Sequence, residues 1–177
     1  MTQLAATDTD HRAHAPVLEA GASVREYLTF RLGDEEYGVD ILKVQEIRGY
    51  DAVTKIPDAP AFVKGVINLR GTIMPVVDMR LRFKLGEAVY DAYTVMIILQ
   101  LERRNVGMVV DSVSDVLRLT DDQTLRPPEF GGAMDTRYIS GLGSIDERLL
   151  ILVDIERLMA SDDMALTASS DASQAAH

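Results

Sequence analysis

The sequence predicts a mainly β protein made of two similar small antiparallel barrels that share a hydrophobic core. The first observation behind this is an internal repeat. Shifted against itself by 69 residues, the chain lays Leu28–Leu32 on Ile97–Leu101 and Gly38–Ile47 on Gly107–Val116, so that Val44 meets Val113. A shift of 76 lays Phe62–Val66 on Tyr138–Leu142 and Ile73–Met79 on Leu149–Ile155. The second observation is that the apolar runs are strand-sized and alternate with a period of two, as strands with one buried face do. The third is that each copy carries two hairpin patterns, and many short strands with few helices build barrels or sandwiches. Two matched lobes leave a groove between them, which suits binding more than it dictates chemistry.

Residues 1 to 23 are rich in Ala, Thr and Asp, and 167 to 177 are mostly Ala and Ser; both read as disordered tails around a folded domain over 24 to 166. Tyr27–Leu32 alternates strictly, with Leu28, Phe30 and Leu32 on one face. Gly33-Asp34-Glu35-Glu36 supplies the turn, and Tyr37, Val39 and Ile41 form the return strand. The second copy does the same with Val95–Leu101, a polar turn from Glu102 to Asn105, and Val106, Met108 and Val110. Asp40–Arg48 spaces Ile41, Val44 and Ile47 at intervals of three, as a short helix would. A second hairpin in each copy joins Phe62–Leu69 to Ile73–Val77, and Tyr138–Ile145 to Leu149–Val153. Pro75 cannot donate to a ladder, so it belongs on an edge or at a bulge. Asp78 and Asp154 stand as N-caps before Met79–Lys84 and a last helix running from Ile155 to about Leu166. The seven residues by which the second copy is longer (76 less 69) fall in the Pro- and Gly-bearing stretch 120 to 136.

Composition excludes several functions. A hydrophobic content of 47% over 177 residues is ample for a packed core. The formal charge of −10 argues against a nucleic-acid or anionic-membrane surface, so the partners are expected to be proteins. Without Cys there is no thiolate nucleophile, zinc-thiolate site or disulfide, which fits a reducing compartment. No apolar run approaches the roughly 20 residues of a membrane-spanning helix, and the N-terminus lacks a secretory pattern. A cytoplasmic location is expected.

Catalysis finds little support. His11, His14 and His177 all lie in the expected tails, leaving the body without an imidazole. The acidic clusters at 34–36, 121–122 and 162–163 read as solvated surface. Asp78 and Asp154 could be imagined as a dyad, but their equivalence as strand-to-helix junctions favours capping. The glycines match neither a phosphate loop nor a dinucleotide fingerprint. A carboxylate-dependent hydrolase is thus the weaker alternative, and no cofactor or metal is expected. The turn Leu69-Arg70-Gly71-Thr72 is more informative, because Arg70 falls opposite Asp146 and Gly71 opposite Glu147. A charge reversal at matched tips means that the fold does not dictate those side chains, which makes Arg70 a candidate contact residue.

From Gly33 to Tyr50 the chain closely resembles the CheW-like family, the coupling proteins of bacterial chemotaxis. The likeness continues through Pro60–Val66, Asn68-Leu69-Arg70-Gly71, Pro75-Val76-Val77-Asp78, Val109–Leu117 and Leu149–Glu156, and spans roughly residues 25 to 166. Motifs this long and in this order are highly specific. The resemblance implies two five-stranded barrels around a common core, and a non-enzymatic adaptor that links the cytoplasmic tips of transmembrane chemoreceptors to the regulatory domain of the histidine kinase CheA. It implies receptor contacts at Val44, Glu46, Arg70, Val113 and Val116, and kinase contacts around Arg126, Glu129 and Phe130. It also implies recruitment to receptor arrays on the inner face of the membrane. An adaptor of another receptor-kinase pathway, for motility or biofilm control, is the alternative within the family.

Overall fold

The computed structural model of the protein describes residues 23–126, 136–161 and 164. The expected tails, apart from Ser23, lie outside these residues. The first copy of the repeat forms β1 (Val24–Leu32), β2 (Glu35–Asp40), β3 (Val44–Gly49), β4 (Val63–Leu69), β5 (Thr72–Asp78) and the short helix α1 (Met79–Arg82). The second forms β6 (Val95–Gln100), β7 (Asn105–Val110), β8 (Ser112–Thr120), the two-residue β9 (Thr124–Leu125), β10 (Ile139–Ile145), β11 (Arg148–Val153) and α2 (Ile155–Ala160). Both helices start where an aspartate caps them: Asp78 accepts from the Arg80 and Leu81 amides, and Asp154 from the Arg157 amide. Among the described residues no helix is long and apolar enough to cross a membrane.

The main strand pairings repeat, yet the copies are interleaved. One sheet has six strands in the order β8-β1-β2-β11-β10-β9, the other five in the order β3-β6-β7-β5-β4. Each sheet therefore draws strands from both copies. The antiparallel pairs β1·β8 and β6·β3 correspond, as do the parallel pairs β2·β11 and β7·β5. Even the register matches, with Gly38 opposite Leu152 in one lobe and Gly107 opposite Val76 in the other. Neither set of ladders closes on itself. Each lobe is a curled open sheet, and one has six strands rather than five.

The alternation of each strand divides its side chains between two cores. Leu28, Phe30, Leu32, Ile97, Leu99, Met108 and Val77 meet in the large cluster shared by the lobes. Met74, Val76, Met96 and Ile98 fill the inside of the five-stranded lobe, and Tyr27, Leu119, Leu150 and Leu152 that of the six-stranded one. In the shared core Tyr37 stacks between Phe30 and Phe83, each at 5.7 Å, and burial pushes its phenol up to about 12. Burying each such large apolar side chain is worth about 1.5–3 kcal/mol.

Three local expectations change. Asp40–Arg48 is not a helix: one 3-10 turn (Ile41–Lys43) capped by Asp40 leads directly into β3. A spacing of three serves a helix and a bulged strand equally, and the free edge of β6 decided it. Pro75 lies in an interior strand, but the ladder from β5 to β7 begins only at Val76, so no donor is missed there. The last helix stops at Ala160, because Ser161 is extended at ψ 147°.

An ion-pair network joins the six-stranded lobe across its strands. Arg148 reaches Glu36 at 3.0 Å and Asp115 at 3.2 Å, while the buried Thr29 hydroxyl donates to the Asp115 main-chain oxygen. The Arg148 guanidinium, then the Thr29 hydroxyl, hold the Asp115 carboxyl below the usual carboxylate range. A lowered folded pKa stabilises above the unfolded value, near 4, and that stability is lost as pH falls through the folded value. Asp115→Asn is expected to cost under about 1 kcal/mol at neutral pH, since the pair is solvent-screened. It should also flatten the acid limb of stability against pH below about pH 4 in urea melts; an unchanged acid limb would remove Asp115 from the linkage.

Candidate functional site

Val44 opens β3 opposite Leu99, and Val113 occupies the equivalent place in β8 opposite Phe30. Both valines are partly buried and rest against the shared core, so they stand at its rim, neither sealed inside nor fully exposed. Immediately after each, the ladder takes one extra residue: β3 slips between Val44 and Glu46, and β8 between Val113 and Val116. A bulge bends its strand and re-aims the side chains that follow. The residues re-aimed here are Glu46 and Ile47 in one lobe and Asp115 and Val116 in the other. Ile47 and Val116, repeat mates, are left 44% and 47% exposed where strand partners would ordinarily be covered.

Arg70 sits at the tip of the β4–β5 hairpin. Its φ of 50° and that of Gly71 at 88° give both central residues the left-handed backbone of a tight hairpin turn, and Asn68 Oδ1 accepts from the Gly71 amide at 2.9 Å. The matched tip has the same backbone sign at Asp146 and Glu147, with φ of 46° and 67°. Fold thus fixes the turn and leaves the side chains open, as the charge reversal implied. The Arg70 guanidinium meets Glu46 Oε2 at 2.7 Å, and Arg48 stands 3.8 Å from the other carboxylate oxygen. This ion pair brings two expected contact residues together. It also joins the two ends of the five-stranded sheet, the β4–β5 hairpin tip and β3, which the curl of that sheet brings together. At 68% exposure, most of the Arg70 side chain remains open to solvent.

Arg126 is exposed just beyond β9. Glu129 and Phe130 lie outside the described residues. Sequence reasoning missed Ile47, although the repeat alone pairs it with Val116. It also missed the second exposed repeat pair, Ile73 and Leu149, at the starts of β5 and β11.

The Asp78 carboxylate is held by structural hydrogen bonds. Asp78 is buried, and its oxygens accept from two helix amides and from the Tyr90 hydroxyl at 2.6 Å. Burial and then that hydrogen bond push the Tyr90 phenol above its ordinary value. Among the described residues no group of three His, Cys, Asp or Glu side chains is placed to hold a metal ion.

Comparison with known proteins identifies the family. The model of the CheW-like domain family matches residues 26–163. Chemotaxis protein CheW of Klebsiella aerogenes is 56% identical over 148 residues, covering 83% of this chain and 89% of that protein. A probable chemotaxis protein CheW of Rhizobium etli is 38% identical over 139 residues, 78% of this chain and 90% of that protein. Among solved structures, the scaffolding protein TtCheW from Thermoanaerobacter tengcongensis superposes with a TM-score of 0.73 at 30% identity, covering 80% of this chain and 96% of that one. With the family's domain matched over nearly all its folded length and its two-lobed β architecture in place, the chain belongs to the CheW-like family.

Proposed function

We propose that this chain is a non-enzymatic adaptor that couples the cytoplasmic tips of transmembrane chemoreceptors to the regulatory domain of CheA. The observation that carries the reading is the matched rim: Val44 and Val113, one from each lobe, rest on one shared core, flanked by exposed Ile47 and Val116 and by the Glu46–Arg70 pair. An apolar strip with charged ends suits the side of a receptor helix, apolar on one face and polar beyond it. Kinase contacts are assigned to the stretch around Arg126, Glu129 and Phe130, and the coupling activity to residues 24 to 166. The adaptor acts at the inner face of the membrane through its receptors. Modest individual contacts suffice there, because linking several in one array raises effective concentration.

Reconstitution tests the function. Kinase autophosphorylation should rise when receptor-bearing membranes, CheA and this chain are combined, with all three co-sedimenting. Nucleotide hydrolysis by the purified chain alone would contradict the adaptor reading.

For Arg70, loss of the exposed ion pair should cost under about 1 kcal/mol of stability. Arg70→Glu should weaken receptor binding by about 2 kcal/mol or more. The charge swap Arg70→Glu with Glu46→Arg separates the two roles. It should restore the thermal midpoint without restoring receptor affinity; recovery of both would make the pair purely structural.

Val44→Asn and Val113→Asn should each cost less than the roughly 2–5 kcal/mol of a deep core truncation, because both sites are only partly buried. Receptor binding should fall while kinase binding persists. Val→Thr at the same sites keeps the shape should Asn unfold the chain. In a double-mutant cycle the two positions should be non-additive for receptor binding, as residues touching one helix are; strict additivity would place them on separate surfaces.

A further inference from the structure

The rim valines are alike, so the backbone by itself offers a partner helix two directions. Exchanging the copies carries Val44 onto Val113 and Ile47 onto Val116, which leaves an apolar stripe equally well seated either way round. Charge is what distinguishes the two ends. Two residues beyond each valine stands an acid, Glu46 in one lobe and its repeat mate Asp115 in the other. Each meets an arginine from a hairpin of its own sheet, Arg70 at 2.7 Å and Arg148 at 3.2 Å. The third member of each cluster differs. Arg48 stands 3.8 Å from Glu46, at a position where the repeat has Leu117, whereas Glu36 lies 3.0 Å from Arg148, at a position where the repeat has Asn105. One lobe thus sets two guanidiniums against one carboxylate, and the other sets two carboxylates against one guanidinium.

Neighbouring charges keep the difference. Asp51 borders the recess beside Arg48, so the first end balances Arg48 and Arg70 against Glu46 and Asp51. At the second end Arg31 lies opposite Glu36 in the ladder, but the exposed hairpin tip adds Asp146 and Glu147 beside Arg148. Glu36, Asp115, Asp146 and Glu147 there outnumber Arg31 and Arg148. Arg48, Arg70 and Asp115 each keep 40% or more of the side chain exposed, open to charges on another molecule.

We propose that this inequality fixes the direction in which a receptor helix lies across the rim, an inference that rests on the receptor reading above. The acidic side chain of the helix lies toward Arg48 and Arg70, its basic one toward Asp115 and Asp146, and the apolar residues between rest on Val44 and Val113. The reverse pose would set acid against the acid-rich end, and like-charge juxtaposition is what rejects a wrong register or orientation at an interface.

The test uses the full chain, 15N-labelled, and a synthetic helical peptide with a leucine stripe, a glutamate before it, a lysine after it and a nitroxide at the glutamate end. In the native chain the label should broaden the amides of Arg48 and Gly71 and spare those of Val116 and Arg148. A peptide with glutamine at both charged positions should bind about three- to tenfold more weakly, as loss of exposed pairs does, and should broaden both sets. Asp146→Arg balances the second end and should erase the preference; Arg70 at φ 50° shows that arginine is accepted on the backbone that Asp146 holds at 46°. Adding Arg48→Glu leaves the first end with the excess of acid and should turn the peptide round, moving the broadening to Val116 and Arg148. Each preference should fade as salt rises. If the native chain shows no preference, or the double variant keeps the native one, charge does not set the direction while the rim reading stands. If none of the peptides shifts an amide near Val44 or Val113, the rim is not the helix site and both readings fall.

Discussion

The two parallel ladders, β2 with β11 and β7 with β5, hold the rest of the molecule in place. Each joins the first hairpin of one copy to the second hairpin of the other, and without them each sheet would split into two pieces with unpaired edges. A glycine stands at each crossing, Gly38 in β2 and Gly107 in β7. A Cβ added at Gly107 would stand 2.7 Å from Met96 Sδ, and one at Gly38 would stand 3.0 Å from a Leu152 methyl and 3.3 Å from Tyr27 Cβ. The bare backbone at each position leaves room for the side chains packed over it, Leu152 and Tyr27 at one and Met96 at the other. Leu152 and Val76 pack into the cores of their own lobes.

Interleaving explains why the lobes act as one body. With every sheet built from both copies, neither copy can unfold without stripping strands from both lobes, and the shared core packs the two lobes against each other. Arg82 adds a seam, its guanidinium lying 5.4 Å from the Phe62 ring and 5.5 Å from that of Tyr138, the repeat mates at the start of the second hairpins. Cation–π contacts of this kind contribute about 0.5–2 kcal/mol, and here they tie equivalent points of the two halves together. The position matched to Arg82 is Leu158, fully buried in the shared core. Symmetry thus governs the backbone, while side chains diverge where a specific contact is needed.

The same divergence marks the hairpin tips. At Arg70 and Asp146, and at Arg103 with Arg104 against Asp34 with Glu35, matched backbone carries opposite charge. At Val44 and Val113, matched backbone carries the same apolar residue. The two bulges turn the residues after each valine outward at equivalent places.

By itself the sequence determined the repeat, the four hairpins, the aspartate caps and which face of each strand is apolar, because these follow from alternation and turn chemistry within a few residues. The candidate contact residue at the hairpin tip, Arg70, was legible in the same way, as a charge reversal between matched turns. Only the tertiary structure decided that the copies interleave, since local patterning does not say which strand edge a hairpin will find. The same cause made Val44–Gly49 a strand: its spacing fits either state, and the choice fell to pairing with β6. The Glu46–Arg70 pair, 24 residues apart in sequence, likewise exists only because the sheet curls. Periodicity records what each segment can bury, whereas pairing depends on which long-range contacts recover the entropy of closing the chain.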